Sequence, residues 1–327
     1  MSLPTLGIDL AKATFEAALF HQEQVSHHVF PNTPAGITAL LAWIRAQGHA
    51  QVHACLEATG TYGDTVAQAL YAAQHVVSVI NPAVLKAFRQ STLTRTKNDR
   101  TDAQLLARYA ALHRPKAWAP PSPELRELQA LARRLESLHH LRQQESNRLA
   151  SAQRSSLVAE SINVILAALD QEIARVEQLL HDHIQQHPEL KAQHDLLRSI
   201  PGIGDKTATT LLAECGNVAG FTDARALAAY AGLTPKQHQS GTSVHGKPRL
   251  SKIGSDRLRK ALYFPALTAR RYNPVIKAFC DQLSARGKHT MVVLGAAMRK
   301  LLHLAYGVLK SGKPFDPNYG KLKPVTP

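Results

Sequence analysis

Thr5-Leu6-Gly7-Ile8 is a short apolar run that ends on a carboxylate, Asp9, and Val52-His53-Ala54-Cys55-Leu56 repeats the pattern before Glu57. Both runs have the length and composition of buried strands, and an acid closes each of them. If the strands are parallel neighbours, joined by a crossover through the helical stretch Ala35 to Ala46, their carboxyl ends share one sheet edge. Open α/β folds build their sites there. Asp99 and Asp102 open a helical run that reaches His113, and their i, i+3 spacing puts both side chains on one face. One such helix packed across the sheet edge would complete a cluster of four carboxylates. Crowded carboxylates repel one another and resist ionising unless cations neutralise them. Oxygen-only ligands of high charge suit Mg²⁺ or Mn²⁺, and paired ions of this kind drive displacement at phosphorus. Taken singly, an Asp after a strand is a common turn or cap residue, and acids in a first helical turn complement the helix dipole. The four acids carry the argument jointly.

The order of elements agrees. After the strand to Asp9 come an alternating strand through Phe15, Ala17 and Leu19, a third from Val25 to Phe30, a helix, the Glu57 strand, a helix, a strand from Val76 to Ile80, and another helix. That β-β-β-α-β-α-β-α succession is the order of the RNase H-like fold. The polar, basic stretch Ser91 to Asn98, with Arg95 and Lys97, immediately precedes the acidic pair and suits a phosphate backbone passing over bound ions.

Beyond the break Ala119-Pro120-Pro121-Ser122-Pro123, where Ser122 and Pro123 make an N-cap and first helical position, two long leucine stripes follow. One runs Leu125, Leu128, Leu131, Leu135, Leu138 and Leu141, the other Ile162, Ile165, Leu169, Ile173, Val176 and Leu180. They predict two amphipathic helices, buried as an antiparallel hairpin or as an intermolecular coiled coil. A homo-oligomer is the expectation, since chains that associate with themselves usually close into symmetric assemblies.

From Leu196 the chain changes again. Ile200-Pro201-Gly202-Ile203-Gly204 before the helix Lys206 to Glu214 reads as a helix-hairpin-helix-like turn, with Gly202, Gly204 and Lys206 placed to cradle a phosphate through backbone N–H groups. A plain tight turn between helices is the simpler alternative. The stretch Gln237 to Pro248 reads as a loop rich in Ser, Thr, Gly and His, followed by a basic helix from Asp256 to Phe264. Tyr263, Tyr272 and Tyr306 read as packing residues, without the Arg/His/Tyr constellation of a tyrosine recombinase.

Charge is the strongest statement composition makes. Lys236 to Pro327 hold 18 Lys and Arg against 3 Asp and Glu, whereas residues 1–235 balance 21 against 21, so the whole net charge of +15 is C-terminal. Such an excess repels itself unless a polyanion neutralises it, which makes nucleic acid the natural partner. Lys247, Arg249, Lys252, Arg257, Arg259 and Lys260 are the candidates to neutralise phosphates. A membrane surface fits less well, because no basic amphipathic helix with a Trp/Phe face is visible. The start, Met1-Ser2-Leu3-Pro4, has no leader pattern, and the longest apolar stretch, around Met291 to Met298, is cut short by Arg299-Lys300, so a soluble cytoplasmic protein is expected. Cys55, Cys215 and Cys280 are odd in number and without CxxC spacing, which indicates buried small hydrophobes rather than disulfides or zinc. None of the 17 histidines falls in an HExxH pattern.

Four segments then carry a family resemblance: Ile8-Asp9-Leu10-Ala11-Lys12, Glu57-Ala58-Thr59-Gly60-Thr61-Tyr62, Val79-Ile80-Asn81-Pro82 and Lys97-Asn98-Asp99-Arg100-Thr101-Asp102-Ala103. Together they resemble the DEDD, RuvC-like domain of transposases of the insertion-sequence one-ten (IS110-type) family, relatives of the Piv/MooV DNA invertases. Ala231-Gly232-Leu233-Thr234-Pro235 and Ser240-Gly241-Thr242-Ser243 extend the resemblance, with the Ile200 to Gly204 turn, over nearly the whole chain. The resemblance implies that Asp9, Glu57, Asp99 and Asp102 are the catalytic, Mg²⁺-binding acids. It also implies that Ser240 is the nucleophile that becomes covalently linked to DNA, and that a structured bridge RNA selects donor and target DNA. On the residues alone Ser240 is indistinguishable from Thr242 and Ser243. A junction-resolving nuclease using water, and a non-catalytic nucleic-acid-binding protein, are the rival readings. The expected architecture is α/β plus all-α: an RNase H-like (RuvC-like) catalytic domain over residues 1–117, a coiled-coil segment over 123–190, and a basic, mainly helical domain over 195–327 carrying the serine loop.

Overall fold

The computed structural model describes residues 3–58, 63–93, 96, 98–151, 155–216, 218–240 and 244–318, with backbone alone at 219, 237–240 and 244–248. The chain divides after Pro120 into an α/β unit and a second unit built mainly of helices.

In the first unit the apolar runs become strands: β1 (Thr5–Leu10), β2 (Thr14–His21), β3 (Gln24–Pro31), β4 (His53–Glu57) and β5 (Val76–Ile80). They form one sheet in the order β3-β2-β1-β4-β5, antiparallel across the first three and parallel from β1 to β4 to β5. The parallel strands require crossovers, which α1 (Pro34–Ala46) and α2 (Asp64–Ala72) supply. Alternation along β1 sorts the two faces. Leu6 and Ile8 pack into one cluster with Ile37, Leu40 and Ile44 of α1 and Val66 and Leu70 of α2. The opposite face carries Cys55 and Ile80 against α3 (Pro82–Ser91) and α4 (Asp99–His113), through Leu85, Leu105, Leu106 and Ala110. The sheet thus lies between two helical layers, and the acids fall on the α4 side.

In the second unit α5 (Pro123–Ser151) and α6 (Ser156–Gln186) are the two striped helices, and Ser122 Oγ accepts the Leu125 N–H at 3.3 Å as expected of a cap. The stripes find partners within the chain: Leu128, Leu135 and Leu138 share a core with Ile173, Val176, Leu180 and Ile184. That core is continuous with α7 (Pro188–Arg198), α8 (Asp205–Cys215), α9 (Ala224–Tyr230), α10 (Asp256–Ala261), α11 (Tyr263–Tyr272), α12 (Pro274–Ala285) and α13 (Thr290–Ser311). Leu141 and Ile165, further along the stripes, stay exposed.

Four expectations need correction. The segment read as a serine-rich loop is an antiparallel ribbon of β6 (Pro235–Ser240) and β7 (Val244–Leu250), paired from Pro235↔Leu250 to Ser240↔Val244. Its sequence is mostly polar, so hydrophobic alternation gave no strand signal. The basic helix from Asp256 stops at Ala261, and a new one starts at Tyr263. Pro265 in the first turn of that second helix has no N–H to continue a ladder from the preceding turn. The apolar stretch near Met291 is not cut short at Arg299-Lys300: α13 runs on to Ser311, and its face of Leu301, Leu302 and Ala305 is core. It is long and apolar enough to cross a membrane, yet more than half of that stretch is buried inside the protein. Tyr306 is buried as expected, but Tyr263 and Tyr272 are exposed. All three cysteines are buried and free.

Candidate active site

Strand register brings three carboxylates into a row. In the β1–β4 ladder Gly7 stands opposite Cys55 and Ile8 opposite Leu56, so the next positions are Asp9 and Glu57. On the other side of β1, Asp9 pairs with Glu16 of β2. Directly paired residues project to the same face, which for Asp9 is the face of Thr5 and Gly7.

Helix α4 is seated on that face and comes closest to β1 at Gly7, where no side chain intervenes. Thr5 Oγ1 donates to the Ala107 carbonyl at 2.9 Å. A Cβ on Gly7 would lie 1.9 Å from the Ala103 carbonyl oxygen and 2.4 Å from the Ala107 nitrogen, so only glycine permits this approach. The helix starts where its sequence dictates: the Asn98 side-chain oxygen accepts the Thr101 N–H at 2.7 Å. Its first turn therefore presents Asp99, exposed, and Asp102, only 8% exposed, near the end of β1.

The electrostatics register this convergence. Burial, followed by the charges of Asp102, Asp99 and Glu57, holds the Asp9 carboxyl up at about 6, with a backbone hydrogen bond from Leu10 opposing them. Burial also raises Glu16, which the Arg100 charge pulls back down and Asp99 pushes up. His27 stands 3.6 Å from Glu16, but burial and Arg100 keep its pKa low, so the pair is not an ionic one at neutral pH. The four predicted acids thus share one electric field. Among the described residues, however, no three Asp, Glu, His or Cys side chains are gathered closely enough to grip a single ion. Asp102 is instead ion-paired with Arg89, from the last turn of α3.

Glu16 and Arg89 escape the sequence reading. A hairpin register taken through the short Ala11–Ala13 connection would have set Glu16 opposite Asp9. Nothing in the pattern of α3 distinguishes Arg89 from a solvated helix-end cation. Arg95 and Lys97 lie outside the described residues, as do Thr242 and Ser243.

The second unit places the remaining candidates. Ser240 ends β6, immediately before the ribbon's turn. Lys247 and Arg249 lie on β7, and Arg249 and Lys252 are exposed. Arg257 is held 2.9 Å from Glu136 and 3.5 Å from Glu214, and Lys260 is 2.7 Å from Asp256. Arg259 donates to the carbonyls of Ala231 at 3.1 Å and Ser255 at 3.5 Å, a structural tie. In the α7–α8 turn Gly202 has φ +107°, and a Cβ there would meet Ala269 of α11 at 2.7 Å. Gly204 precedes α8, whose first residue, Asp205, lies 3.0 Å from Arg198. Lys206 reaches His139 Nε2 at 3.0 Å.

A carboxylate-bearing sheet edge in one unit, with a strongly basic second unit, suits a protein that acts on a polyanion such as nucleic acid. Comparison with known proteins defines the class: residues 6–155 match the DEDD-type transposase domain of IS110-like elements, and residues 194–281 match the transposase IS116/IS110/IS902 family. The chain is 36% identical to the pilin gene-inverting protein of Moraxella bovis, over 97% of this chain and 98% of that protein. It is 26% identical to the transposase for insertion sequence element IS1111A of Coxiella burnetii, over 81% of this chain and 83% of that one. A 43.6 kDa protein of insertion element IS110 from Streptomyces coelicolor is 30% identical over 49% of this chain and 38% of its own length. The chain belongs to the IS110-type transposase family, and it is a DNA transposase or recombinase.

Proposed function

We propose that this protein cuts and rejoins DNA through a covalent link to Ser240, with Asp9, Glu57, Asp99 and Asp102 holding Mg²⁺ or Mn²⁺. The observation that carries the reading is the convergence on Asp9: a partly buried carboxylate on a strand end, beside Glu57 and under the field of both α4 acids. A set of oxygen donors whose mutual repulsion already raises one pKa fits a divalent cation, because the cation removes the cause of the shift. The strand order and the two helical layers support an RNase H-like, RuvC-like assignment for the first unit. Bound there, the metal would polarise the phosphate and favour the ionised hydroxyl. Asp9 has to be deprotonated to serve, so protons compete with the cation for it, and metal loading is expected to weaken as the pH falls. At Ser240 a new P–Oγ bond forms, one P–O bond of the DNA strand breaks, the serine proton leaves, and the departing sugar oxygen takes up a proton. The acids and the serine belong to different units, so the reaction requires the two, from one chain or from two protomers of an oligomer, to close on one strand.

Phosphates of donor and target DNA are neutralised on this reading by Arg95, Lys97, Lys206, Lys247, Arg249 and Lys252, with help from the Gly202 to Gly204 turn. Arg257, Arg259 and Lys260 join them only by exchanging the partners they hold. A structured bridge RNA is the proposed guide, and the cytoplasm the proposed site of action. The residue ranges 1–117, 123–190 and 195–327 are, respectively, the proposed catalytic, coiled-coil and serine-bearing parts.

The test incubates purified protein and Mg²⁺ with labelled element-end DNA and the candidate RNA, followed by denaturing electrophoresis. A protein-linked DNA band is expected for the wild type and for Thr242→Ala and Ser243→Ala, and is expected to vanish in Ser240→Ala. Cleavage that survives Ser240→Ala would instead assign the nucleophile to water, as in a junction-resolving enzyme. No cleavage at all, with Asp9→Asn binding nucleic acid like the wild type, would leave a binding protein.

A further inference from the structure

We propose that Arg89 is a resident counter-ion that occupies Asp102 in the metal-free protein and that a divalent cation has to displace. The proposal rests on the reading that the carboxylates take such a cation. Arg89 lies in the last turn of α3, which packs against α4, and its Nη2 is paired with Asp102 Oδ1. Both side chains are largely withdrawn from water, at 19% and 12% exposed. Arg89 Nε is buried and has no hydrogen-bond partner among the described residues. A guanidinium placed solely to stabilise the fold normally satisfies its buried N–H groups, so a buried one left over needs a reason. Competition for the carboxylate supplies that reason.

The two cations compete for Asp102. A Mg²⁺ or Mn²⁺ ligand oxygen sits about 2.1 Å from the ion, and a guanidinium on the same carboxylate would be held against a double positive charge. With Arg89 seated, Asp102 is engaged, and no three acidic side chains among the described residues gather around one point. Arg89 is therefore a positioning residue, acting through Asp102, and it sets the concentration at which metal loads.

The test titrates Mn²⁺ into the full-length wild type and into Arg89→Gln, Arg89→Lys and Asp9→Asn, read by calorimetry and by the shift in Tm. Arg89→Gln is expected to bind Mn²⁺ about tenfold more tightly than the wild type, the effect of removing a competitor on the scale of one strong ion pair. Arg89→Lys, with a weaker single-point pair, is expected to fall between them, and it decides the matter if the glutamine variant does not fold. Asp9→Asn is expected to lose the response. A wild-type protein that binds Mn²⁺ in an Asp9-dependent way, with Arg89 variants no tighter, would make Arg89 a structural bridge and overturn the proposal alone. No Mn²⁺ response in the wild type or either Arg89 variant would overturn the metal reading itself, and this proposal with it.

Discussion

Asp9→Asn is expected to abolish divalent-dependent strand exchange while making the metal-free protein more stable at neutral pH. The two effects have one cause. In the folded protein the Asp9 carboxyl is held at about 6, against an ordinary value of 3.8. Folding therefore favours its protonated form, a contribution that is complete below pH 3.8 and is lost as the pH rises through 6. At pH 7.5 the ionised group is a burden of roughly 1–2 kcal/mol, after allowing for its partial exposure to solvent. Removing the charge should raise Tm by about 3–6 °C in metal-free buffer, with the difference from wild type shrinking as the pH is lowered towards 4. Strand exchange should fall by orders of magnitude if Asp9 is a metal ligand as proposed, since the change removes the ligand with little effect on packing. Differential scanning calorimetry across pH, with an electrophoretic exchange assay, checks both. A variant less stable than wild type at pH 7.5 would mean that the Asp9 charge is already compensated and that the acids do not converge as described.

Gly7→Ala is expected to be far more damaging than its single methyl suggests. The added carbon would sit 1.9 Å from the Ala103 carbonyl oxygen, 2.4 Å from the Ala107 nitrogen and 2.9 Å from Leu106 Cβ. Two of these are backbone atoms, which no rotamer change can move aside. Helix α4 would have to lift from β1, weakening the Thr5 bond to Ala107 and the buried contacts of Leu105, Leu106 and Ala110. The expected cost is at least about 3 kcal/mol, at the upper end of what overpacking does. Urea unfolding followed by circular dichroism measures it, and a midpoint like that of the wild type would show that α4 is not seated on Gly7. In any fraction that still folds, lifting α4 carries Asp99 and Asp102 away from Asp9, so the pH dependence described for Asp9 should flatten as well.

β1, β4 and β5 were legible in the sequence as apolar runs and β2 by its alternation; Asp9 and Glu57 stood out because they close two of those runs, and Asp99 and Asp102 because they open a helix. The start of α4 was readable to the residue, since Asn98 followed by a first turn rich in acids is a strong start signal. What stayed hidden depends on register and approach rather than pattern. Glu16 becomes part of the acidic row only once β2 is paired to β1, and Arg89 only once α3 is laid against α4. The leucine stripes announced two helices without saying what would cover them, because a stripe of this kind serves a hairpin and a coiled coil equally. The β6–β7 ribbon was missed for a different reason: it is stabilised by main-chain pairing, and that leaves no trace in hydrophobicity.

That ribbon meets the core of the helical unit at Leu250, whose Cδ1 lies 3.2 Å from where a Cβ on Gly295 would stand. An isolated ladder of two strands is marginal in water. If Ser240 engages DNA as proposed, the ribbon is expected to draw part of its order from the strand it meets. Protection of its amides from hydrogen exchange should then climb on loading with substrate, and an enzyme able to break a chromosome would be poorly armed until it has something correct to hold.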